Sequence, residues 1–164
     1  VMERQYRYPM QQVMVEFPAG KLDPGEDHLG CAQRELLEET GYRAAEWAHA
    51  GVLHPVISYS TEFIDIWFAR GLSQGERQLD AGEFLDVFDA TLDELLAWSR
   101  DGQLTDAKTL TGLLWLQNHR SGALSFFATE ASPHIGHDTM PRASWLWKSS
   151  SEPNQPSNTW CWLH

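Results

Sequence analysis

The chain is short of cysteine and of positive charge, and it has no long apolar run. Its 164 residues contain two cysteines, Cys31 and Cys161. Two cannot build the disulfide framework of a small secreted scaffold, so reduced thiols are the expectation. Lysine and arginine total 12 against 23 aspartates and glutamates, a net charge of −11. A surface of that sign repels phosphate backbones and anionic headgroups, which argues against nucleic acid and membrane partners. No stretch is long and apolar enough to span a bilayer, and no signal-peptide pattern is visible. A soluble cytoplasmic protein is therefore expected. The hydrophobic fraction of 42% is enough for one real core, and the length fits one domain with a tail.

What is present centres on residues 20–42, GKLDPGEDHLGCAQRELLEETGY. Pro24-Gly25 turns the chain, and Glu26-Asp27 put acid where a helix dipole favours it. A helix is predicted from about Asp27 to Thr40, with Gly41 as its stop. Leu29, Ala32 and Leu36 recur at helical spacing and should face the core. Glu35, Glu38 and Glu39 fall at i, i+3 and i+4, so they share another face. Three such carboxylates repel one another unless a cation sits among them. Hard oxygen ligands suit Mg²⁺, with Mn²⁺ as the alternative ion. Arg34 precedes Glu38 by one turn and is placed to pair with it without ligating metal. A bare E-x-x-E-E is more often a solvated acidic face than a metal site.

The fixed points Gly20, Glu26, Arg34, Glu35, Glu38, Glu39 and Gly41 read G-x5-E-x7-R-E-U-x-E-E-x-G-U, where U is apolar. At average usage, seven such matches coincide by chance with odds of about 10⁻⁸ to 10⁻⁹, which removes chance as the explanation. The pattern resembles the signature of the Nudix hydrolases, with Tyr42 in place of the usual aliphatic residue. The resemblance covers about Met2 to Leu124. It implies an α/β fold, the Nudix α/β/α sandwich with a mixed β-sheet, occupying residues 1–125. Residues 126–164 are expected to form an irregular or disordered tail.

Further segments resemble the ADP-ribose pyrophosphatase-like branch of that family. Arg4 to Pro9, RQYRYP, resembles a strand of its central sheet, and Glu16 to Lys21, EFPAGK, the approach to its metal site. The resemblance implies a β-rich subdomain before this strand, so the chain is expected to be N-terminally truncated relative to the branch. It further implies Glu35, Glu38, Glu39 and the Ala19 carbonyl as metal ligands. Glu83, just before a predicted strand at 84–88, is implied as catalytic base, with Asp80 second. Glu38 and Arg34 complete the catalytic set. Arg7, Glu16 and Glu62 are the substrate-binding candidates. For Glu16 the competing reading is a solvent-facing strand residue, and for Glu62 a bland strand-edge acid. Helices are predicted at Thr91–Arg100, with Thr91 and Glu94 as a capping box, and at Asp106–His119. Asp106 reads as a cap and Lys108 as a surface cation.

The reaction implied is metal-dependent hydrolysis of a pyrophosphate bond in a nucleoside diphosphate linked to another moiety. ADP-ribose, giving AMP and ribose 5-phosphate, is the first candidate. Another nucleotide sugar such as GDP-mannose is the alternative. So is a non-catalytic ADP-ribose-binding module, although such modules usually lose a carboxylate that this chain keeps. A homodimer is the assembly implied.

Overall fold

The computed structural model describes residues 1–79, 82 and 84–127, together with the backbone of 159–163. Strands β1 (Met2–Arg7), β2 (Gln12–Glu16) and β6 (Leu85–Phe88) form an antiparallel sheet in the order β2-β1-β6. In it Glu3 of β1 lies opposite Glu16 of β2. Arg7 is four residues beyond Glu3, so strand alternation returns it to the same face. The second sheet holds β3 (Ala19–Lys21), β4 (Tyr42–Leu53), β5 (Phe63–Gln74) and β7 (Thr159–Leu163), in the order β3-β7-β5-β4. Among the described residues its β5–β7 pairing alone is parallel, so the sheet is mixed.

Among the described residues three helices cover the sheets. Helix α1 (His28–Glu35) is capped by Asp27, whose side chain accepts from Gly30 N, and runs on into a π-helical turn at Leu36–Thr40. Gly41 closes it at φ 76°, a left-handed conformation that glycine adopts without a Cβ penalty. Helix α2 (Leu92–Arg100) begins on the Thr91–Glu94 capping box, and α3 (Ala107–Arg120) on Asp106.

The odd and even residues of β5 serve different layers. Ile64, Ile66 and Phe68 enter a core with Phe17, Leu95, Leu104 and Leu113, beneath α2 and α3. Trp67 packs on the other side, against Cys31, Ala32 and Leu36 of the first helix and its extension. Asp65, also buried, takes His28 and His49 on its two carboxylate oxygens there. A mixed sheet between helical layers is the expected α/β/α arrangement.

At the start of the expected tail, Phe126 packs edge-on against Phe68 at 5.0 Å, and Phe127 takes the Arg70 guanidinium at 4.4 Å. Far along the supposedly irregular tail, 159–163 is a strand, because its partners β3 and β5 are supplied by distant sequence that local patterning does not reveal. Residues 128–158 lie outside the described residues. Cys31 is disulfide-bonded, which corrects the expectation of a reduced thiol there.

Candidate active site

The site has an acidic face on the first helix and a cleft beside it. The face is built against Ala19–Gly20 at the start of β3. A Cβ on Gly20 would lie 1.7 Å from Glu35 Oε1, so the missing side chain is what lets that carboxylate rest on the backbone. Glu39, buried one turn further on, accepts from Ala19 N at 2.8 Å. Two of the predicted ligands thus border the same stretch of β3 whose Ala19 carbonyl was implied as a third.

Arg34 holds the remaining carboxylates. It donates to both Glu26 oxygens at 2.9 Å, to Glu35 Oε1 at 2.8 Å and to Glu38 Oε2 at 3.0 Å. It also donates to the Lys21 carbonyl at 2.9 Å, tying the helix to the loop ahead of it. The hydrogen bonds from Arg34 hold the Glu26 carboxyl below the usual range, and the surrounding carboxylates raise the Arg34 pKa in return. The expected Arg34–Glu38 pair is present, but the guanidinium serves three glutamates rather than one. Among the described residues no three carboxylate, imidazole or thiol groups converge on one point. Glu35 and Glu38 turn to Arg34, and Glu39 to the Ala19 amide. The donor set nonetheless fits a hard divalent cation: three carboxylates and a carbonyl, two of the carboxylates against the Ala19–Gly20 backbone of β3.

The cleft measures about 650 Å³. Binding sites for small organic ligands run from roughly 300 to 1,000 Å³, so a nucleotide-sized molecule fits. Pro9, Met10, Met14, Pro55 and Ile64 give it apolar walls, while Arg7, Glu16, Glu62, Asp106 and Lys108 supply charge. All three predicted substrate-binding residues are therefore brought to one cavity. Glu16 is not solvent-facing. It is buried, and accepts from Arg7 Nε at 2.7 Å, Arg7 Nη2 at 2.9 Å and Lys108 Nζ at 2.7 Å. Burial pushes its carboxyl up, but the bonds from Arg7 and Lys108 outweigh burial and hold it below the usual range. Arg7 also feels the charges of Glu3 and Glu39, which places cleft and acidic face within electrostatic reach of each other.

Lys108 is the residue that sequence reasoning missed. It is no surface cation but buried, bridging Glu16 to Asp106 Oδ1 at 2.7 Å on each side. A signal existed: a lysine in the first turn of a helix runs against the dipole and asks for a nearby acid. The predicted base Glu83, and Asp80, lie outside the described residues.

Residues 1–111 match the family model described as the NUDIX domain. The chain is 41% identical over 121 residues to the methanol dehydrogenase activator of Bacillus methanolicus, covering 71% of this chain and 64% of that protein. It is 35% identical over 119 residues to the ADP-ribose pyrophosphatase of Bacillus subtilis, with the same two coverages. The chain thus spans 64% of the length of each of these relatives. In fold it is similar to a crystal structure described as an ADP compounds hydrolase, with a TM-score of 0.68, 24% identity, 74% of this chain and 66% of that one covered.

Proposed function

The chain belongs to the NUDIX family, and on that premise we propose that it hydrolyses the pyrophosphate bond of a nucleoside diphosphate joined to a second moiety. ADP-ribose, cleaved to AMP and ribose 5-phosphate, is the preferred substrate. The observation that carries the reading is that one short run, residues 16–20, joins two features: Glu16 with Arg7 in a nucleotide-sized cleft, and the Ala19–Gly20 stretch of β3 bordered by Glu35 and Glu39.

In this reading Glu35, Glu38, Glu39 and the Ala19 carbonyl would hold Mg²⁺, or Mn²⁺ in its place. The metal supplies Lewis-acid polarisation of the phosphate oxygens. Arg34 and Glu26 orient the carboxylates. Arg7 binds the anionic part of the substrate, with Glu16 aiming the guanidinium, and Glu62, which lines the same cleft, contacts its polar groups. Water attacks one phosphorus, the bond to the bridging oxygen breaks, and Glu83 takes the proton.

The test is product analysis with purified protein, ADP-ribose and Mg²⁺, repeated with EDTA. AMP formed only with metal supports the proposal. A folded protein that yields no AMP would move the substrate to another nucleotide sugar such as GDP-mannose. The metal assignment would be lost if Glu39→Gln hydrolysed as fast as the parent.

A further inference from the structure

We propose that Lys108 is a positioning residue: it fixes Glu16 from the α3 side, and through Glu16 it presents Arg7 to the anionic part of the substrate. The inference rests on the substrate reading above and adds to it a residue and an element.

The D-A-K-T run at the start of α3 does four things at once. Asp106 accepts from Thr109 N at 3.0 Å and from Thr109 Oγ1 at 2.6 Å, capping the helix. Thr109 Oγ1 accepts from Phe17 N at 3.1 Å, which stitches α3 to the residue after β2. Lys108 Nζ binds Asp106 on its own element. The same ammonium crosses to Glu16 Oε2, the oxygen that also accepts from Arg7 Nη2. The Glu16 carboxylate is thereby held from two sides, and its orientation is set by the helix as well as by β1. Arg7 spends its Nε hydrogen and one Nη2 hydrogen on Glu16, which leaves both Nη1 hydrogens and the second Nη2 hydrogen for a ligand.

Charge points the same way. The cleft carries three carboxylates, Glu16, Glu62 and Asp106, against two cations, Arg7 and Lys108. Without Lys108 the count is three against one, with Glu16 and Asp106 left facing the space the ammonium filled. An anionic substrate then meets a repulsive cleft, and the carboxylate that aims Arg7 is free to turn. The interactions involved are made by bound substrate and transition state alike, so the loss belongs in KM more than in kcat.

The experiment is steady-state hydrolysis of ADP-ribose with Mg²⁺ by the parent and by Lys108→Met, Lys108→Gln and Lys108→Arg. Removing one partner of a buried charge pair should raise KM by about tenfold or more, with kcat down by less than about threefold. Lys108→Arg restores the charge and should return KM to within about threefold of the parent. A double variant with Glu16→Gln tests the route. If Lys108 acts through Glu16, the double variant has the KM of Glu16→Gln alone, whereas independent effects would multiply. Lys108→Gln retains hydrogen bonding should Lys108→Met fail to fold. A parent-like KM in the charge-removing variants, or multiplied effects in the double, would overturn the proposal.

If the parent does not cleave ADP-ribose, the substrate reading fails, and a ligand-free measurement decides this inference by itself. The Arg7 Nε–H resonance in ¹⁵N-arginine-labelled protein should exchange with solvent at least about ten times faster in Lys108→Gln than in the parent, as expected when a buried charge-assisted bond is loosened. Unchanged exchange would overturn it.

Discussion

A methyl group added at Gly20 would lie 1.7 Å from Glu35 Oε1 and 1.8 Å from its carboxyl carbon. The atoms in the way are the far end of a flexible side chain, so Glu35 can swing aside without moving backbone. Fold and chemistry should therefore separate. Gly20→Ala is expected to melt within about 4 °C of the parent, the range of a roughly 1 kcal/mol change. It should lose about tenfold or more in hydrolysis, since a carboxylate displaced by an ångström or more misaligns the site. Equal activity in the two proteins would detach Glu35 from the reaction. At this scale the sequence is legible wherever residue type and spacing encode the role. Arg34, Glu26 and the three glutamates could be read because a helix fixes which positions share a face. The burial of Glu16 could not, because β2 is five residues long and only the arrival of α3 covers its end. The bond from Lys108 to Glu16 is illegible for the same reason, since that partner lies 92 residues away.

The caps of α2 and α3 offer a comparison between elements. Thr91 accepts from Glu94 N, and Glu94 accepts in return from Thr91 N at 2.8 Å, in an exposed setting. Thr91→Ala should cost about 1 kcal/mol, the usual value of a cap. Asp106 makes the same kind of cap but also holds Thr109 Oγ1 and Lys108. Asp106→Ala should cost about 2 kcal/mol or more, because it strips partners from a buried hydroxyl and a buried ammonium. Urea titration of both variants checks the order, and equal losses would mean that the D-A-K-T contacts add nothing to the cap. Both caps were visible in the sequence, since each is a local pattern of three or four residues. The strand at 159–163 was not, because a short strand is defined by partners and its partners are remote.

For the whole molecule the acid limb of stability carries information. The Glu16 and Glu26 carboxyls both sit below their ordinary value of 4.5. A group depressed on folding contributes stability that is present above its unfolded value and lost as pH falls through the folded one. The melting temperature should thus be nearly flat down to about pH 5 and fall steeply below about pH 4.5. Glu16 should dominate because it is buried with three charge-assisted bonds. Glu16→Gln, although less stable throughout, should show a shallower acid slope in melts followed by circular dichroism. A slope as steep as the parent's would place the titrating group elsewhere. The same protein is expected to gain thermal stability with added Mg²⁺ through binding to the folded state alone, and to lose that gain in Glu39→Gln.

The strand β5 is a wall shared by two rooms. Ile64, Ile66 and Phe68 furnish one side, Asp65 and Trp67 the other. A slip of a single residue would send Asp65 and its charge into the layer of Phe17 and Leu113, and an isoleucine into the place where two histidines meet a carboxylate. Over the history of such a chain, change within this strand must come by substitution, each replacement keeping to its own side. Change in length has to be absorbed at the ends, in the loop at 54–62 that borders the cleft or in the loop that leads to β6. The first of these supplies Pro55 and Glu62 to the cleft, so a segment free to lengthen is well placed to alter what the cleft accepts.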